Sequence, residues 1–187
     1  MKEHYSKSWG YIKESKKFIF LTIILFFVFV LIGYFLRIPD FIFKQISDYI
    51  NQIVSQTKGL SGIQLILFIF FNNIKSSLLG WIFGILFGIF PIFVAISNGY
   101  ILGFVANQSV KLEGAIVLLT LLPHGIFELP AIFISLGMGI KLGMVMLKKE
   151  DLKYNLLNAL RVFLLVIIPL LIIAAIIEGS LITSLGH

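Results

Sequence analysis

The chain has 187 residues, of which 59% are apolar and 13% charged, against roughly 45–50% and 25% in an ordinary soluble domain. A mean hydropathy of +1.03 with 19 Phe would leave a soluble globule of this size covered in apolar patches, so the composition specifies an integral membrane protein. The chain has no Cys, which excludes disulfides, thiolate metal sites and cysteine nucleophiles. The formal charge of +6 sits beside apolar runs, where the positive-inside rule accounts for it without nucleic acid.

Residues 1–17 form a basic tail. Residues 18–36 carry no charge and follow Lys13, Lys16 and Lys17; a helix needs about 20 apolar residues to cross a bilayer core. This is the first span. It ends in Tyr34-Phe35-Leu36-Arg37 without a small-residue cleavage site, so an uncleaved helix is expected. Segment 40–57 differs, placing Ile42, Ile46, Tyr49, Ile50 and Ile53 on one helical stripe and Lys44, Gln45, Asp48, Asn51 and Gln52 elsewhere. That pattern predicts an amphipathic helix lying on the outer surface.

From Ser76 to Val110 no residue is charged, and one helix over that run would be about 52 Å long, too long for a single crossing. Phe90-Pro91 is the expected break, because proline lacks an N–H and clashes inside a helix. The second and third spans are therefore placed at 63–89 and 91–107. The fourth takes 114–143, broken or re-entrant around Pro123 and Pro130, and the fifth takes 156–182. The expectation is an all-α polytopic transmembrane bundle of about five spans.

Basic residues set the orientation. Lys2, Lys7, Lys13, Lys16 and Lys17 with Lys141, Lys148, Lys149, Lys153 and Arg161 face one side, against Arg37, Lys44, Lys58 and Lys111 on the other. Ten against four places the N-terminus in the cytoplasm and the C-terminus outside a cell membrane. Gly80, Gly84 and Gly88, then Gly99 and Gly103, then Gly139 and Gly143 recur at spacings that let helix backbones approach closely in lipid, within one chain or in a homo-oligomer.

Polar groups inside the spans are the candidate site. Asn72, Asn73 and Lys75 fall roughly 14–18 Å from the outer side and His124 roughly 15 Å, while Glu128, at about 21 Å, shares a level with Asn98. Glu178 lies near the outer end of the fifth span. His124 and Glu128 are four residues apart on one face. Such a pair suits a structural lock, a proton or ion relay, or two ligands of a metal ion. Hydrolysis is the weakest reading, because H-E-x-x-H, G-x-S-x-G, P-loop and G-x-G-x-x-G motifs are all missing from the sequence. No enzyme activity and no cofactor are expected, a metal ion on His124 and Glu128 being the one exception the residues permit.

The run Asn72-Asn73, Gly84, Gly88, Pro91, Asn98-Gly99, Gly103, Leu122-Pro123-His124-Gly125-Ile126-Phe127-Glu128-Leu129-Pro130-Ala131 and Ala174-Ala175-Ile176-Ile177-Glu178 resembles the stage II sporulation protein M family over about residues 60–180. The resemblance implies a multi-pass helical membrane protein. It also implies a non-enzymatic scaffold or assembly factor, since the family's namesake joins partners with cell-wall hydrolase activity at the septal membrane. A transporter or channel-like protein using the His, Glu, Asn and Lys cluster is the alternative, and an intramembrane metal-binding protein a second one. The expected partners are the bilayer, other membrane proteins and a second copy of the chain.

Overall fold

A computed structural model describes residues 2–36 and 40–184, apart from the side chains at 2, 40, 42, 113 and 119–124. The described residues are all-helical. In chain order they form α1 (Lys2–Phe35), α2 (Asp40–Thr57), α3 (Gly62–Ile82), α4 (Ile89–Glu113), α5 (Leu122–Lys148), α6 (Leu152–Val162) and α7 (Ile168–Ser184). A π-helical turn, Phe163–Ile167, joins α6 to α7, and short 3-10 segments cover Phe83–Ile85 and Ala115–Leu121. Five stretches are long and apolar enough to cross a bilayer: Glu3–Phe35, Gly62–Ile85, Ile89–Leu112, Gly125–Lys148 and Leu152–Ser184. The fold is the polytopic helical bundle that the composition requires.

Local chemistry explains several helix ends. Ser61 caps α3 through a reciprocal pair of bonds with Gln64, its hydroxyl accepting the Gln64 amide N–H while the Gln64 side chain accepts the Ser61 N–H. Asp151 caps α6 by accepting the Tyr154 N–H at 3.0 Å.

The turn between α3 and α4 falls earlier than Pro91. The chain reverses through Phe87 at φ 57° and Gly88 at φ 71°, a left-handed conformation that glycine adopts freely. Pro91 then takes the third position of α4, where its missing N–H has no intrahelical partner to lose. The expected break there is thus displaced by a few residues. Pro123 is likewise the second residue of α5 and starts the helix instead of interrupting it. Pro130 lies inside a continuous α5, so the expected fourth span, 114–143, is interrupted just before Pro123, where the 3-10 segment meets α5, and not at Pro130; the cost at Pro130 is the Ile126 carbonyl, which has no amide four residues on to accept from.

The basic tail is also helical. α1 starts at Lys2, and Tyr11, Ser8 and Ser15 within it are fully buried.

α5 is the centre of the bundle, with 67% of its apolar stretch buried. α3 runs parallel to it, and the Ser135 hydroxyl donates to the Ser77 carbonyl at 2.6 Å across that seam. α4 packs on α5 from another side through Ala95, Ile132 and Leu136. α1 contributes Thr22, whose hydroxyl donates to the carbonyls of Ile19 and Phe133. The turn of α3 and α4 rides over α5 glycine on glycine: a Cβ at Gly84 would overlap the Gly139 backbone, and one at Gly143 would overlap Phe87 and Gly88. A second glycine seam joins α1 to α4, where a Cβ at Gly99 or Gly103 would strike the Phe26 or Val30 carbonyl. The small-residue spacings therefore serve packing within the chain, as close helix approach in lipid demands.

Candidate functional site

Among the polar residues within the spans, the fold brings Asn73, Glu128 and Glu178 together. The Asn73 side chain hydrogen-bonds the Glu128 carboxyl, and the Glu178 carboxyl lies within electrostatic reach of it. Three helices supply one residue each. α3 and α7 run antiparallel, with Gly62 opposite Thr183 and Gly179 against Ile66, while Leu65 and Ile69 pack on Ala175. Glu128, six residues into α5, reaches between them.

Neighbouring residues diverge for geometric reasons. Successive residues on a helix are about 100° apart, so Asn73, 8% exposed, turns inward while Asn72 is exposed. Lys75, two positions further around, is exposed as well. Those two do not join the site. Asn98 is half-buried on α4, one turn beyond Ala95, whose partners on α5 are Ile132 and Leu136. Because α5 begins at Leu122, position 124 stands in the first turn of the helix and not at mid-depth. The side chains of His124 and Pro123 lie outside the described residues, as do Arg37 and His187. Glu128 and Glu178 are each about 9 Å from the end of their helix, which puts two groups expected at different depths into one layer.

Two half-buried carboxylates with an amide donor can hold a proton or a cation between them. Among the described residues no three His, Asp or Glu side chains gather as a ligand set.

A second polar cluster occupies the end of the bundle that carries most of the basic residues. The Tyr11 hydroxyl donates to Asn155 Oδ1 at 3.2 Å, and Lys141 Nζ lies 3.8 Å from the centre of the Tyr11 ring while bridging to Glu14 at 3.0 Å. Below it Trp81 stacks on Phe163 at 5.6 Å. Sequence reasoning missed this group because Tyr11 and Glu14 stand in what reads as a basic tail. The available signal was Lys141, a charge placed between Gly139 and Gly143 where close helix packing is expected.

A profile of the family described as Stage II sporulation protein M matches residues 22–183. An uncharacterised protein of Methanocaldococcus jannaschii is 30% identical over 176 residues, covering 89% of this chain and 78% of the relative. No solved structure matches. The matched segment runs from the second half of α1 almost to the end of α7 and contains each member of the Asn73, Glu128 and Glu178 site, and over that extent the chain belongs to the stage II sporulation protein M family.

Proposed function

We propose that the chain is a non-enzymatic membrane scaffold or assembly factor, whose bundle displays α2 to other membrane proteins. The observation that supports this reading is the setting of α2. Its apolar Phe41, Phe43, Tyr49 and Val54 are all exposed, and it leans on the bundle through Phe43, whose ring meets Phe104 edge-on at 5.5 Å. A helix with so much apolar surface outside the packed bundle is a surface for lipid or for another protein. The connections elsewhere are short, at 58–61, 86–88, 114 and 149–151, and hold no folded domain among the described residues.

The reading is tested by placing a photocrosslinking residue at Tyr49 or Val54 in the native membrane, with Ala131, which is fully buried, as the control position. Discrete adducts are expected from the α2 positions and none from the control. The combined Y49D and V54D variant should lose its partners at unchanged folded yield. A chain without adducts, showing ion flux in proteoliposomes that E128Q abolishes, would replace this function with transport.

A further inference from the structure

The crossing of the N-terminal part of α1 with α6 and the π turn leaves a groove of about 370 Å³, within the roughly 300–1,000 Å³ range of small-molecule sites. Arg161, His4 and Tyr5 line it together with Leu157, Leu164 and Leu165. Leu157 and Leu164 are 53% and 52% exposed. The π turn, Phe163–Ile167, contains both Leu164 and Leu165; such turns insert one extra residue into a helix and occur often at functional sites.

Arg161 suits the groove to an anion. Arg161 is fixed by donating to Asn158 Oδ1 at 2.5 Å, which uses one of five guanidinium N–H donors. Glu3 is close enough to act on Arg161, and its carboxylate is already bridged by Lys7 at 2.6 Å. The groove therefore combines a guanidinium with apolar walls, on the side of the bundle where the sequence concentrates its Lys and Arg. A polar head attached to a hydrocarbon tail matches both features at once. Basic pockets between helices at this level suit acidic head groups.

We propose that this groove binds an anionic phospholipid of the leaflet on the basic side, with its phosphate at Arg161 and an acyl chain along Leu157, Leu164 and Leu165. The chemistry stands apart from the scaffold reading, which rests on α2. The test uses the full chain purified in mild detergent and titrated with phosphatidylglycerol or phosphatidylcholine, with native mass spectrometry reading the bound lipid.

Wild type should retain phosphatidylglycerol in preference to phosphatidylcholine. R161Q should weaken that preference by about fivefold, the scale of one basic residue at an anionic surface, and R161K should restore part of it. L164W, which fills the apolar wall and leaves Arg161 in place, should lose the bound lipid; it keeps the test decisive where R161Q folds poorly. Lys58→Gln, on α2's connection to α3, should retain wild-type preference. Equal retention of both lipids by wild type, unchanged preference in R161Q and L164W, or displacement of the lipid by soluble glycerol 3-phosphate would each overturn the proposal. So would a two-chain species that R161Q converts to monomer, since the groove would then seat a second copy.

Discussion

The two ends of the bundle handle buried polarity in opposite ways. At the basic end the polar groups between α1, α5 and α6 are matched: Lys141 has Glu14 and the Tyr11 ring, and the Tyr11 hydroxyl has Asn155. At the other end two carboxylates, Glu128 and Glu178, are brought within reach of one another beside Asn73. Matched groups stabilise a particular packing arrangement. Grouped carboxyls do little for packing, because two like groups in a poorly hydrated setting oppose one another's ionisation.

The comparison is broken most severely at the glycines of the basic end. Gly139→Val would drive a side chain into the Gly80 carbonyl and the Pro91 ring, both already within 3 Å of a Cβ; a loss above about 3 kcal/mol is expected, seen as collapse of the monodisperse peak in detergent chromatography. Lys141→Met keeps much of the stem and removes the charge. It should cost about 1–2 kcal/mol by thermal unfolding, discounted because Glu14 is half-exposed. Combining it with Glu14→Gln should cost less than the sum of the two, the mark of an attractive pair.

Glu128→Gln should stay within about 1 kcal/mol of wild type, because glutamine still accepts from Asn73 while relieving the like-charge contact. Its double-mutant cycle with Glu178→Gln should carry the opposite sign to that of Lys141 and Glu14. Matching signs in the two cycles would erase the contrast between the ends. The smallest effect is expected at Gly125→Ala, where the nearest atom to a new Cβ is Leu129 Cδ1 at 3.8 Å; removing helical glycine flexibility should gain about 0.5 kcal/mol.

Much of the architecture was legible because membrane spans are written in charge-free runs, which is why five crossings and the amphipathic segment 40–57 could be read directly. Helix ends were harder. Pro91 looked like a breaker, yet a proline costs nothing in the first turn of a helix, and the reversal at Phe87 and Gly88 depends on Gly139 and Gly143, more than fifty residues away. The site was legible in kind but not in membership. Asn72 and Asn73 look equivalent in one dimension, and only the rotation of α3 against α5 decides that Asn73 meets Glu128. Depth counted from Gly114 misplaced Glu128, since the 3-10 segment before Leu122 is not part of α5. Tyr11 and Asn155 are 144 positions apart, a pairing with no local pattern to announce it.

The ride of the α3–α4 turn over α5 bears on how the chain is made. α3 and α4 leave the ribosome as consecutive helices, yet they meet little except near their turn, and each finds its main seam on helices far off in the chain: α3 on α5 and α7, α4 on α1 and α5. Until α5 has been inserted, the glycine faces at Gly84 and Gly88 have no backbone to close on. The nascent hairpin must therefore wait open in the bilayer for a late helix. A chain arrested before residue 122 should be held by the insertion machinery or degraded, and α5 should act as the keystone that ends that wait.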